Sequence, residues 1–217
     1  MPVDDLGERI AGVASLVEPQ RRALYRFVVN RGDAVSKDEA AVAMGVARSV
    51  AAFHLERLVA DGLLTTEFRR LNDRQGPGAG RPAKLYARSE REVVVSLPPR
   101  DYHLAARLLA DAAAADTDGH TRRALTAAAQ QLGRELAADD APLEPLLRER
   151  GYEPYDDDGV VRLRNCPFHA VAQRHPEVVC DMNLALLGGL VEEMPGVTAA
   201  LEPAAGRCCV ALRRVSG

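Results

Sequence analysis

The segment from Ser36 to Gly62 constrains the fold most strongly, because its signals for starting and ending helices follow one another closely. Ser36 and Glu39 form a capping box, in which the Ser side chain accepts from a first-turn amide and the Glu reaches back. Gly45 ends the helix that they start, and Gly62 ends a longer helix predicted over 48–61. A turn of three residues joins these two helices.

Another helix precedes this pair. It begins at Pro19, where proline is tolerated in the first turn, and it ends at Gly32. Its apolar side chains recur at helical spacing: Leu24, Phe27 and Val28. The last helix of the three has an apolar face as well: Ala51, Leu55, Leu58 and Val59. Three helices with a tight glycine turn before the third are typical of a helix-turn-helix.

A hairpin is predicted directly after the third helix. Residues 63–69 and 83–87 are typical of strands, and the polar loop 70–81 between them is rich in glycine. A hairpin in this position is the wing of a winged helix. The sequence therefore predicts a winged helix-turn-helix domain over residues 19–91.

Two sequence motifs carry a resemblance to a known family. FHLERLVADGLL at 53–64 and GRPAKLY at 80–86 resemble the winged-helix regulators of the ArsR/DeoR-like kind. The resemblance implies a transcriptional regulator that binds double-stranded DNA through residues 19–91 and forms a homodimer. It is specific for the fold and less so for the DNA sequence that is bound.

Charge distribution favours a polyanionic partner for this domain alone. The chain has a net charge of −3, but residues 19–91 hold 14 of its 28 Lys and Arg and only 8 of its 31 Asp and Glu. The domain is therefore +6 and the remainder −9. A basic domain joined to an acidic one agrees with nucleic-acid binding by the first.

The third helix supplies the residues expected to read DNA. Its side opposite the apolar face would meet base edges in the major groove, through Arg48, Ser49, Ala52 and Phe53. The other basic residues are expected to contact phosphates or the minor groove: Arg57, Arg69, Arg70, Arg74, Arg81 and Lys84. Phe53 lies on this side of the helix, where it has no core to fill. Its presence argues against a face that is exposed only to solvent.

The remaining chain is predicted to form three further parts, which gives an α+β fold class overall. Residues 1–18 are weakly patterned and are expected to be a loosely docked leader. Residues 92–140 hold two helices, 99–115 and 120–138, and residues 141–217 form a small α+β sensor domain with helices and two β-hairpins. No apolar run approaches about 18 residues, and no signal peptide opens the chain, so a soluble cytoplasmic protein without a membrane partner is expected.

The two central helices are rich in alanine and leucine. Their leucines are expected to point inward: Leu104, Leu108 and Leu109 on the first helix, and Leu125, Leu132 and Leu136 on the second. Such a pair beside a winged helix commonly forms a dimer interface. Packing within one chain is the alternative.

All four cysteines lie in the last quarter of the chain, at Cys166, Cys180, Cys208 and Cys209. In a reducing cytosol such a group suggests ligands or sensors rather than a disulfide framework. Thiolates bind zinc and iron. His169, which is separated from Cys166 by two residues, is a further candidate donor. Strand alternation would turn Cys208 and Cys209 to opposite faces, which makes them competitors for one metal unless the strand is distorted there.

A narrower resemblance concerns this cysteine-containing part. A CPxxxVA segment at 166–172, a second cysteine at the head of a long helix and a terminal cysteine hairpin resemble the SufR-type repressors, which bind an iron–sulfur cluster. The resemblance implies Cys166, Cys180 and Cys208 as cluster ligands. The 13 residues between Cys166 and Cys180 are one more than in that family's pattern, which leaves another cluster type or Zn²⁺ open.

Other interpretations of the C-terminal part remain open. Cys180 and Cys208 lie on apolar faces and could be plain core residues. A thiol redox switch between Cys208 and Cys209, or a small-molecule effector pocket, would also suit a regulator. An enzyme with Cys166 as nucleophile and His169 as base is disfavoured, because no orienting carboxylate or amide is placed by motif. We therefore expect a non-enzymatic regulator.

Overall fold

The computed structural model describes residues 3–70, 82–98, 100–137 and 142–214. The chain divides into two compact units, residues 1–100 and 101–217. It is mixed, with 53% helix and 17% strand, and the predicted α+β class is confirmed. Among the described residues, no helix combines the length and the apolar character needed to cross a membrane.

The first unit consists of helices around a small antiparallel sheet. Its elements are α1 (Val3–Ser15), α2 (Pro19–Arg31), β1 (Val35–Ser36), α3 (Lys37–Met44), α4 (Arg48–Ala60), β2 (Leu64–Arg69) and β3 (Ala83–Arg88). The predicted helices and the hairpin β2–β3 are present. The sheet has the order β1-β3-β2, and its edge strand β1, only two residues long, was not predicted.

Helix α3 begins and ends as its sequence predicts. The Ser36 Oγ accepts from the Glu39 amide at 3.2 Å, and the Glu39 carboxylate accepts from the Ser36 amide at 2.8 Å. This second bond is the main reason that the pKa of Glu39 is lowered. Gly45 ends α3 with φ +63°, a left-handed conformation that glycine adopts without steric cost. The buried core beneath includes Leu24, Leu55 and Leu58.

The prediction of a loosely docked leader over residues 1–18 was wrong for most of that segment. Residues 3–15 form helix α1, and Arg21 Nη1 donates to the Ser15 carbonyl at 3.3 Å and to its hydroxyl at 3.1 Å. Gly12 is buried against the Asp61 carbonyl and the Val93 side chain. Small residues on one face of α1 allow it to pack closely on its neighbours. In a sequence, such residues indicate a packed helix less clearly than a row of leucines does.

The second unit combines helices with a four-stranded sheet. Its elements are α5 (Tyr102–Ala115), α6 (His120–Leu136), α7 (Leu143–Glu149), β4 (Pro154–Asp157), β5 (Val160–Leu163), α8 (His169–Ala172), α9 (Pro176–Val191), β6 (Val197–Leu201) and β7 (Val210–Arg214). Both predicted hairpins, β4–β5 and β6–β7, are present. Antiparallel pairing of β5 with β7 joins them into one sheet of order β4-β5-β7-β6.

Helices α6 and α9 cross at a glycine contact. A Cβ on Gly133 would lie 2.1 Å from the Leu186 carbonyl oxygen, and a Cβ on Gly189 would lie 2.1 Å from that of Gln130. The two backbones therefore touch with no room for a side chain. Ion pairs at both ends flank the crossing: Arg122–Asp181 at 3.0 Å and Arg134–Glu192 at 2.7 Å.

The predicted inward orientation of the central leucines was largely wrong. Leu104, Leu108, Leu109 and Leu132 are 40%, 57%, 72% and 47% exposed. Alanines take the buried positions instead, Ala110 and Ala113 on α5 and Ala129 on α6. The physical reason is that tight helix packing selects the smallest side chains, so the helix turns its alanine face inward.

Candidate functional site

The four cysteines are placed by three separate parts of the second unit. Cys166 follows β5, and Cys180 lies in the second turn of α9. Cys208 and Cys209 precede β7, where the Cys208 amide donates to the Leu163 carbonyl at 2.9 Å and the Glu202 amide to the Cys209 carbonyl at 2.7 Å. The predicted opposition of these two neighbours was wrong, because they lie in a bend before the strand and alternation does not apply.

The structure brings all four thiols into one series of contacts. Cys208 is in hydrogen-bonding contact with Cys166 and with Cys209, and Cys209 is in turn in contact with Cys180. All four are free thiols. Cys208 is buried in the apolar core, and the other three are half-buried. Core packing accounts for the burial of Cys208 but not for its polar contacts with two further thiols.

Hydrogen bonds within this series shift the pKa values of its thiols in different directions. The pKa of Cys208 lies well below its ordinary value, chiefly because the Cys166 thiol donates to its sulfur and then because Cys209 does. The pKa values of Cys166 and Cys209 are raised, in each case first by the hydrogen bond to Cys208 and then by burial. Cys166, Cys208 and Cys209 therefore titrate together, and the hydrogen bonds among them favour negative charge on Cys208.

A buried amide and a buried phenol extend this series. Asn183, on α9, is fully buried, and its Nδ2 donates to Cys208 Sγ at 3.2 Å. Its Oδ1 accepts from the Tyr152 hydroxyl at 2.5 Å. Burial raises the pKa of Tyr152, so the phenol stays protonated. Sequence reasoning missed both residues; the available signal was an Asn on the apolar face of α9.

His169 lies apart from the thiols. Its side chain is exposed, and its Nε2 is 2.9 Å from Gln173 Nε2, on the residue that follows α8. Only its backbone amide touches the cysteine segment, donating to the Cys166 carbonyl at 3.0 Å. The predicted spacing from Cys166 therefore belongs to a helix turn and does not bring the imidazole to the thiols.

The donor set suits a thiolate-bound centre in its chemistry. Among the described residues, no group of three or more His, Cys, Asp or Glu side chains converges as it stands on a metal position. The thiols touch in succession, and their rotation would be needed to enclose a centre. Four soft sulfur donors favour iron–sulfur or zinc over harder cations. The buried Nε of Arg207, next to Cys208, has no hydrogen-bond partner among the described residues and is a donor that an anionic centre would satisfy.

The exposed side of α4 carries the predicted DNA-reading residues. Phe53 is 64% exposed, Ser49 is exposed and Ala52 is half-buried. Arg48 is held by Asp38 of α3, which accepts from both Arg48 Nε and Nη2. A guanidinium held in this way is oriented but not free.

Several predicted phosphate contacts are also paired with acids. Arg57 Nε is 3.0 Å from Asp61, Lys84 Nζ is 2.5 Å from Glu56, and Arg69 Nε is 3.7 Å from Glu67. Arg70 is exposed. The predicted contacts Arg74 and Arg81 lie outside the described residues. Exposed ion pairs of this kind are weak and can exchange one partner for a phosphate.

Comparisons with known proteins do not add to this picture. No protein-family model matches the chain, and no curated protein or solved structure is significantly similar to it.

Proposed function

We propose that this protein is a DNA-binding transcriptional regulator whose affinity for DNA is set by the thiol site of its second unit. The first unit would act as a winged helix-turn-helix, with α4 in the major groove and β2–β3 as the wing. The observation that carries the proposal is the meeting of all four cysteines, from three separate parts of the chain, in one series of contacts.

The DNA-binding part of the proposal is supported by α4. Ser49, Ala52 and Phe53 share the face opposite the buried Leu55 and Leu58. An exposed phenylalanine is unfavourable in water, and contact with thymine methyl groups would bury it. The acids beside Arg48 and Lys84 would orient these cations and limit non-specific attraction to phosphates.

The sensor part rests on the thiols. Cys166, Cys180, Cys208 and Cys209 would hold an iron–sulfur cluster, with Zn²⁺ as the alternative. A cluster would supply redox sensitivity, whereas zinc would supply a structural clamp. The surrounding core would limit access of water to the centre, and the hydrogen bonds to Cys208, which lower its pKa, would favour the thiolate form that binds a metal.

Helix α9 is the element that can carry the state of the site onward. It holds Cys180 and Asn183 at one end and crosses α6 at Gly189, where the contact is between backbones. A backbone contact cannot absorb a displacement by side-chain rotation, so a shift of α9 would move α6. Regulation then requires two conformations with different DNA affinities, which the site would favour unequally.

A homodimer is part of the same proposal. The apolar side chains exposed on α5 and α6 are its proposed interface: Tyr102, Leu104, Leu108, Leu109 and Leu132. A change in this interface would alter the spacing of two α4 helices, and hence the fit to a two-fold site.

Anaerobic purification followed by absorption spectroscopy and metal analysis tests the sensor part. We expect a coloured, iron- and sulfide-containing protein, or a colourless one with about one zinc per chain. Replacement of Cys166 by Ala should abolish binding of the centre. Circular dichroism would check that Cys166→Ala is folded. A wild-type protein free of metal would contradict this part.

A thiol redox switch is a second candidate, favoured by the direct contacts of Cys208 with two thiols. The Cys208 thiolate would attack hydrogen peroxide, release hydroxide and become a sulfenic acid. The Cys166 or Cys209 thiol would then attack that sulfur and form a disulfide, releasing water. The protein loses two electrons and peroxide becomes two waters in total. Peptide mass spectrometry after peroxide treatment would reveal the pair.

A further inference from the structure

Asn183 is a fully buried polar side chain that donates a hydrogen bond to the thiol series. The geometry points to Asn183 as a positioning residue that fixes the sulfur of Cys208 for a bound metal centre, with Tyr152 fixing Asn183. This inference rests on the proposed thiol-ligated centre and assigns two residues of its surroundings.

An amide at this position is costly unless it serves the site. The neighbouring buried positions of α9 are apolar, among them Val179, Leu187 and Leu190. Burying an amide without partners is unfavourable, and a leucine there would instead fill the core. Both ends of the Asn183 amide are bonded, one to sulfur and one to the Tyr152 hydroxyl. The buried polar group is thus kept next to Cys208 and bonded at both of its ends.

Hydrogen-bonding roles orient the amide. The amide edge that faces Cys208 is the NH₂ group, since Nδ2 donates to Sγ at 3.2 Å. The carbonyl edge then faces Tyr152, which donates its hydroxyl hydrogen. Tyr152 is held in the core beside β4, so the amide cannot rotate without losing this bond.

A donor to a ligand sulfur has a defined effect. It withdraws electron density from the sulfur, orients the ligand and tunes the affinity and potential of the bound centre. Loss of such a partner typically weakens metal affinity about 10–100-fold. Backbone amides also donate to sulfur in this site, from Phe168 to Cys166 and from Val210 to Cys208. Asn183 adds a side-chain amide donor to Cys208, so its removal should act on that sulfur.

Titration of the full-length, reduced, metal-free protein with Co²⁺ under anaerobic conditions tests the inference. The sulfur-to-cobalt absorption band reports both the affinity and the environment of the ligand sulfurs. We expect Asn183→Leu to weaken Co²⁺ binding about 10–100-fold and to shift this band. Tyr152→Phe should weaken Co²⁺ binding and shift the band to a smaller extent, because the Asn183 amide remains but loses its bond to the Tyr152 hydroxyl.

The matched control is Tyr155→Phe, which removes a hydroxyl from β4, three residues after Tyr152, at a side chain stacked under Arg164. It should leave affinity and band unchanged. If Asn183→Leu does not fold, the comparison of Tyr152→Phe with Tyr155→Phe decides. Folded variants with wild-type affinity and band would overturn this inference alone. A wild-type protein without any sulfur-to-cobalt band would overturn the proposed function and this inference together.

Discussion

The two units of the molecule use polar groups in opposite ways. In the first, the charged residues proposed to touch DNA lie at the surface, as with Arg48 on Asp38 and Lys84 on Glu56, over an apolar core. In the second, the polar residues of the proposed site lie inside the core, as with Asn183 and Cys208. Substitutions should therefore separate binding from stability in the first unit but change both in the second.

The glycine crossing gives the largest expected effect in the second unit. Gly133→Leu would force a side chain onto the Leu186 carbonyl, where even a Cβ would be 2.1 Å away. We expect a loss of about 3 kcal/mol or more in the free energy of unfolding, measured by urea denaturation. Gly188→Leu is the matched control, because a Cβ there meets nothing within 4 Å. Equal losses in the two variants would contradict a tight crossing.

Phe53 offers the corresponding test in the first unit. Phe53→Ala should lower DNA affinity about tenfold, equivalent to ~1.4 kcal/mol, because its apolar contact with the bases is lost. Its unfolding free energy should change by only about 0.5 kcal/mol, since the ring is 64% exposed. Val17→Ala, another exposed apolar side chain of this unit, is the control for DNA affinity. Unchanged DNA binding by Phe53→Ala would remove α4 as the reading helix.

The capping box tests whether surface polar groups in the first unit also stabilise it locally. Ser36→Ala removes the bond to the Glu39 amide and should lower the free energy of unfolding by about 1 kcal/mol, measured by thermal or chemical denaturation.

The pKa of Glu39 is lowered in the folded state. Its contribution to the free energy of unfolding is therefore present above the ordinary value of 4.5 and is lost as the pH falls through the folded value. A Glu39→Gln variant should therefore lose less stability between pH 7 and strong acid. An identical acid dependence in both proteins would contradict this role.

The smallest expected effect comes from freeing a surface cation. Asp38→Asn removes the carboxylate that holds Arg48. DNA affinity should rise severalfold, and the salt dependence of binding should steepen by about one counterion, because the guanidinium becomes free to meet a phosphate. Fluorescence anisotropy over a series of salt concentrations measures both. An unchanged or weakened affinity would contradict the view that Asp38 withholds Arg48 from a phosphate.

Local signals predicted local structure well. The capping box and Gly45 were sufficient for α3, because the bonds that form them lie within a few residues of each other. The leucines of α5 were misjudged, since periodicity does not reveal whether an alanine or a leucine face is buried. The strand β1 was missed, because two residues carry no alternation.

The thiol site was predictable in membership but not in arrangement. Residue type and spacing were enough to select the four cysteines. The bend that brings the Cys208 and Cys209 thiols together depends on backbone hydrogen bonds to Leu163 and Glu202, which are distant in sequence. His169 was favoured by its nearness in sequence, yet its ring bonds Gln173. Asn183 depends on a partner 25 residues away in sequence, which no local pattern encodes.

The central claim is that the thiol site controls DNA binding, and one measurement tests it most directly. A DNA duplex selected from a random library by the wild-type protein is titrated with the protein as isolated anaerobically and with the metal-free, oxidised protein, in parallel with Cys166→Ala. We predict that the two wild-type states differ in affinity by about tenfold or more, equivalent to ~1.4 kcal/mol of coupling, and that the difference vanishes in Cys166→Ala. Equal affinity of the two wild-type states, matched by Cys166→Ala, would contradict the claim.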